Sequence, residues 1–192
     1  MASAMLFALF LFSALTFYPP STTAQPVTDG NGNIVKNGGR FYILPSLIGA
    51  PGGGIRRIQT DNESVPLSVV QSPFQDDRGL PIIISSPILT EFLPEGLVFL
   101  SFQHTNISEW TVVEGLPEGT LVKVHGYPHT VKGSFFIKKA EPETNWYKLL
   151  FCKGVFCGNV AVVKNGNWLL AITQDEPYVF HLEQVLPTSA DA

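Results

Sequence analysis

Beyond about residue 40 the apolar residues come in short runs rich in Val, Ile, Phe, Tyr and Trp, broken by Gly, Pro, Asn or Asp, and no window sustains the 3.6-residue spacing of an amphipathic helix. The runs begin near Phe41, Ile55, Leu67, Ile82, Val98, Trp110, Leu121, Ser134, Trp146, Val160, Trp168 and Tyr178, with starts 8 to 16 residues apart. Seventeen glycines and fifteen prolines supply the punctuation. This predicts an all-β protein of twelve strands. Spacing alone does not separate a sandwich from a barrel. Three runs are loosely related, Phe41-Tyr-Ile-Leu44, Val98-Phe-Leu-Ser101 and Tyr147-Lys-Leu-Leu150, set 57 and then 49 residues apart. Three units of four strands would make a β-trefoil, an architecture this loose similarity does not establish by itself.

The apolar run Met5–Phe17, followed by Pro19, Pro20 and small residues up to Ala24, has the build of a signal peptide and is short of the roughly 20 residues of a membrane span. Only the chain amino group precedes it as a positive charge. Residues 1–24 are expected to be removed, which leaves one domain over 25–192 and a secreted protein, extracellular (apoplastic) or vacuolar, without a membrane partner. The net charge of −4, with no basic run, argues against nucleic acid as a partner. The two cysteines, Cys152 and Cys157, are expected to pair in an oxidising compartment. Asn62-Glu-Ser64 and Asn106-Ile-Ser108 are sequons, so Asn62 and Asn106 are candidate N-glycosylation sites.

Enzyme chemistry finds little purchase. Asp29-Gly-Asn31-Gly-Asn33 imitates the start of a calcium loop, but Ile34 stands where glycine is needed and Arg40 where a carboxylate belongs, so it reads as a turn. His125 and His129 lie in a Gly/Pro-containing stretch that cannot put both on one helical face, and none of the four histidines has finger-like spacing from the cysteines. Gly49-Ala-Pro-Gly-Gly-Gly54 lacks the Lys-Ser/Thr of a phosphate loop, and no G-x-S-x-G elbow occurs. Asp76-Asp77 and Glu141/Glu143 fall in polar turns, where solvated charge rather than acid/base catalysis is the expectation. Arg56-Arg57 is read as a solvent-facing pair with an accessory contact role open to it. No metal, cofactor or catalytic residue is expected.

Six segments taken together, Asn37-Gly-Gly-Arg-Phe-Tyr-Ile43, Pro66-Leu-Ser-Val-Val-Gln71, Ile84-Ser-Ser-Pro87, Ser108-Glu-Trp-Thr-Val112, Leu116-Pro-Glu-Gly119 and Tyr147-Lys-Leu-Leu-Phe-Cys152, resemble the Kunitz-type soybean trypsin inhibitor family over nearly the whole chain after the leader. The resemblance implies a secreted, monomeric plant defence β-trefoil that presents an exposed loop to a serine protease. Its reactive-site loop would be Ser86, Pro87, Ile88, Leu89, Thr90 and Glu91, with Leu89 at the specificity position, Thr90 after the scissile bond and Asn37 as the supporting residue. A loop held in its bound conformation loses little entropy on binding, and Pro87 fixes its own φ and restricts Ser86.

Three departures from the family pattern bear on this. Leu89 stands where trypsin inhibitors carry Arg or Lys, so chymotrypsin-, elastase- or subtilisin-like enzymes are expected ahead of trypsin. Val65 and Gln103 occupy the positions of the family's first disulfide, a closed loop of 39 residues with a chain-entropy value of about 4 kcal/mol. The Cys152 to Cys157 loop is shorter than usual, which leaves a binding role of Lys153–Phe156 open. The alternative class is a non-inhibitory storage or stress-response protein, or a carbohydrate-related one, on the same fold.

Overall fold

The structure, a computed structural model, describes residues 25–186 except 47–49, 61–62, 104–108, 125 and 128. The leader and the sequon residues Asn62 and Asn106 lie outside the described residues, as do His104 and His125. Among the described residues there are twelve strands and no helix: β1 (Gly39–Pro45), β2 (Ile55–Ile58), β3 (Ser68–Gln71), β4 (Ile82–Ser85), β5 (Gly96–Phe102), β6 (Trp110–Leu116), β7 (Gly119–Val124), β8 (Ser134–Lys139), β9 (Tyr147–Lys153), β10 (Phe156–Asn165), β11 (Asn167–Thr173) and β12 (Phe180–Gln184).

Six strands close on one another. β1 pairs with β4, β4 with β5, β5 with β8, β8 with β9, β9 with β12, and β12 returns to β1, all antiparallel. This is a barrel without a free edge. The other six form the hairpins β2–β3, β6–β7 and β10–β11, whose second strands β3, β7 and β11 meet pairwise in a triangle. Each third of the molecule is thus a barrel strand, a hairpin and a second barrel strand, and the whole is a β-trefoil.

Alternation along the barrel strands fills the interior. Phe41 and Ile43 on β1, Val98 and Leu100 on β5, and Tyr147 and Leu149 on β9 all point inward and are buried. The three related runs of the sequence therefore occupy equivalent places. Ile82, Ile84, Phe135, Ile137, Phe180 and Leu182 from β4, β8 and β12 complete the lining, and inner residues of the hairpins such as Val69, Val122 and Leu170 join the same core. The hairpins are apolar on their other face too, where Val70, Leu121, Leu169 and Ala171 form a second cluster. Burial on both faces explains why their runs are continuous rather than alternating.

On that second face a charge is enclosed. Lys123 of β7 reaches Glu63, in the β2–β3 connection, at 2.7 Å, and Ser68 donates to the same carboxylate at 2.8 Å. The Thr60 amide donates to its other oxygen at 3.0 Å. Burial by itself would raise the pKa of Glu63, but the hydrogen bonds from Lys123, Thr60 and Ser68 and the charge of Lys123 outweigh it and hold the carboxyl below its usual range. With every partner supplied, the enclosed charge is tolerated.

Two details differ from the sequence expectation. β10 begins at Phe156 rather than near Val160, because Cys152 and Cys157 are cross-strand partners whose disulfide closes the hairpin to the two-residue turn Gly154-Val155, with Gly154 at φ 63°. Arg56, expected to face solvent, bonds Asp77 at 2.6 Å. Asp77, expected to be a solvated turn residue, also accepts from the Gly79 amide at 2.9 Å. Its carboxyl lies below the usual range through the Ser72 hydroxyl first, then the Gly79 amide and Arg56, with burial opposing them.

Candidate functional site

The turn at Lys36-Asn37-Gly38-Gly39 enters β1 and carries the first element of the site. The Gly39 amide donates to the Lys36 carbonyl at 3.0 Å, which closes the turn with Gly38 in its third position at φ 75°. A side chain is disfavoured there. At Gly39 a Cβ would come within 2.6 Å of the Phe41 ring and 2.9 Å of the Lys36 carbonyl. The two glycines thus present the Asn37 side chain in one fixed direction, toward residues 86–90.

Those residues form the connection that leaves β4 and returns to β5. Asn37 grips it at both ends of its amide. Its Oδ1 accepts from the Ser86 backbone amide at 2.8 Å, and its Nδ2 donates to the carbonyls of Ser86, Ile88 and Thr90 at 3.4, 3.1 and 3.2 Å. Alternate carbonyls therefore face inward, and the side chains between them face out. Within the loop, the Ile88 amide donates to the Ser86 hydroxyl at 3.2 Å, the Thr90 amide to the Ile88 carbonyl at 2.9 Å, and the Thr90 hydroxyl to the Phe92 carbonyl at 2.8 Å. Leu89 sits at the apex of the resulting three-residue turn. Ser86 is buried at the root, Pro87 and Ile88 are exposed, Leu89 is fully exposed (101%), Thr90 is partly exposed and Glu91 is exposed.

The far arm is tied to the segment that precedes β1. The Asn37 amide donates to the Glu91 carbonyl at 2.9 Å, Leu93 exchanges bonds with Val35 and Val27 at 2.8 Å each, and the Glu95 amide reaches the Gln25 carbonyl at 2.9 Å. Val27, Val35 and Leu93 are buried in the main core. The sequence reading missed this clamp. Two isolated valines in a polar stretch make no strand-like run, and their alternation about the Asp29 turn was the available signal. Asp29 Oδ1 holds that turn by accepting from the Asn31 and Asn33 amides at 2.9 and 2.8 Å.

The other candidates are dispersed. Glu141 and Glu143 are exposed in the β8–β9 connection. Among the described residues no group of three or more His, Cys, Asp or Glu is placed to hold a metal ion. Val65 is exposed, and the Gln103 amide bonds the Pro81 carbonyl at 3.1 Å, which extends the β4–β5 pairing by one step. At the disulfide turn Val155 and Phe156 are exposed and Lys153 faces Glu114 at 3.5 Å.

A loop with an exposed apolar apex, held by a side chain from a distant turn on a closed barrel, has the design of a binding protein rather than an enzyme. A family model described as "Trypsin and protease inhibitor" (Kunitz, legume) matches residues 27–184. The chain belongs to this Kunitz-type plant protease inhibitor family. It is 37% identical to trypsin inhibitor A of Glycine max over 198 residues, covering 94% of this chain and 91% of that one. It is 40% identical to a chymotrypsin inhibitor of Erythrina variegata over 136 residues, covering 67% and 75%. The soybean trypsin inhibitor in its complex with porcine pancreatic trypsin superposes with a TM-score of 0.78 at 34% identity, covering 84% of this chain and 99% of that one. These relatives are inhibitors, not enzymes.

Proposed function

We propose that the protein inhibits a serine protease by offering Ser86–Glu91 as a substrate-like loop, with Leu89 entering the primary specificity pocket and Thr90 following the bond presented for cleavage. The observation that carries this is the four-bond grip of one residue, Asn37, on the loop, beneath a fully exposed leucine.

Burying a leucine in an apolar pocket is worth roughly 1.5 to 3 kcal/mol. In a trypsin-like pocket the same side chain would leave a buried carboxylate without a cation. The favoured targets are therefore chymotrypsin-, elastase- or subtilisin-like. Asn37 holds the loop in one conformation before binding, and after cleavage its bonds to Ser86, Ile88 and Thr90 span both sides of Leu89-Thr90, so the new ends stay in place. We place the working protein outside the cytosol, as a monomer released from the 1–24 leader, with Asn62 and Asn106 open to glycosylation.

Inhibition constants against chymotrypsin, pancreatic elastase, subtilisin and trypsin test the reading. Tight inhibition of one of the first three, lost on Leu89→Asp, is the expected result. Failure to inhibit any of the four would favour a storage or stress-response protein.

A further inference from the structure

An antiparallel barrel that faces water normally carries polar residues at its outward positions. On β5, β8 and β9 the outward positions include Leu97, Phe99, Phe136 and Leu150, while the others are Ser101, Ser134, Lys138, Lys148 and the disulfide-bonded Cys152. The register gathers the four apolar ones. Leu97 is opposite Phe136 and Phe136 is opposite Leu150, so three apolar side chains stand in one row across three strands, about 10 Å from end to end. Phe99 lies two residues along β5 from Leu97 on the same face and is 47% exposed. Contiguous apolar surface with a polar rim marks a contact site.

The row borders both roots of the candidate loop. Phe99 is opposite Ser85, the residue before Ser86, and Leu97 follows Gly96, where the loop's far arm joins β5. A stable complex removes about 800 Å² from each partner and involves roughly 20 to 30 residues a side. Six loop residues are too few, and the remainder must come from surface next to the loop's base.

We infer that Leu97, Phe99 and Phe136 form a second contact with the protease whose primary pocket takes Leu89. The inference rests on the loop being the reactive site. It assigns the outer barrel face a share of the affinity and leaves the choice of primary pocket to Leu89.

The test is the triple substitution Leu97→Thr, Phe99→Thr and Phe136→Thr, which keeps β-branched residues at strand positions and leaves the interior untouched. It is measured against the protease that the wild type inhibits best, beside Leu89→Asp. The expected result is an inhibition constant about ten- to hundred-fold higher, carried by faster dissociation, with the ranking among proteases unchanged. In parallel, the single variant Leu97→Cys is labelled with a maleimide, alone and in the complex, which gives a readout even if the triple variant folds poorly. Protection of the introduced thiol in the complex is expected. If Leu89→Asp abolishes inhibition while the triple variant matches wild type and the introduced thiol labels equally with and without protease, the second contact is refuted and the loop reading stands. If the wild type inhibits nothing, both fall. A wild-type dimer that the triple substitution dissociates would assign the face to self-association and also overturn the inference.

Discussion

Asn37 and Ile88 are separated by 51 positions in the chain and joined by a 3.1 Å bond from a side-chain amide to a backbone carbonyl. The bond links the turn that starts β1 to the residue before the loop's apex. Rigidity of the loop is thereby built from outside it.

Asn37→Ala removes this grip while leaving Gly38 and Gly39 to form the turn. Inhibition should weaken by about 10- to 100-fold, equivalent to about 1.4 to 2.7 kcal/mol, because the free loop would then have to be ordered on binding. Preference among proteases should not change. Progress-curve measurements on a panel check both points, and prolonged incubation should show the variant cleaved after Leu89 and consumed faster than wild type.

Leu89→Arg leaves the loop's backbone partners in place and supplies a cation at the apex. Trypsin inhibition should appear or rise by at least an order of magnitude, and inhibition of chymotrypsin-like enzymes should fall. Inhibition constants for wild type and variant against the two enzymes decide it. An unchanged ranking would point to another part of the surface, with Arg56-Arg57 and the Cys152 to Cys157 turn to be mutated next.

The disulfide ties partners already paired across the β9–β10 hairpin, and so small a closed loop contributes about 2 kcal/mol in the chain-entropy picture. Replacing Cys152 and Cys157 by serine should lower Tm by about 4 to 8 °C and leave the far-UV circular dichroism of the folded state unchanged. Alkylation of the unreduced wild type should modify neither cysteine.

Acid should act through Glu63. Its carboxyl is held below its usual range in the folded state, so its ionised form stabilises the fold above the unfolded pKa of about 4.3. That contribution is lost as pH falls through the depressed folded value. Thermal unfolding followed between pH 7 and pH 3 should show wild type losing stability below about pH 4.5, and Glu63→Gln losing less over the same interval. At pH 7 Glu63→Gln should cost about 3 to 5 kcal/mol, since it leaves Lys123 buried without a counter-charge. The double change Glu63→Leu with Lys123→Met should recover most of the loss.

The strands were legible from the chain because their information is local, whereas spacing did not reveal their closure into a barrel. Each strand announces itself by β-branched and aromatic residues between turn formers, and Phe41, Val98 and Tyr147 mark the three thirds by their position in those runs. What lay hidden is pairing at a distance. Glu63 and Lys123 are 60 residues apart and each looks like an ordinary surface charge. Val27, Val35 and Leu93 have no periodic neighbours to reveal that they share the core. The candidate loop became visible only through resemblance to relatives, since Asn37-Gly-Gly-Arg by itself is a turn signal and says nothing of residues 86–90.

The closure of β9 onto β12 and of β12 onto β1 has a bearing on survival. A protease takes hold of substrate by lining extended backbone alongside its own, in the manner of an added strand, and the six barrel strands have both sides occupied by their neighbours. Digestion of the barrel must wait for its strands to separate, an event whose frequency is set by global stability. The fold thus keeps its wall out of a protease's grasp, and the connection that carries the exposed Leu89 is the part that stands outside it.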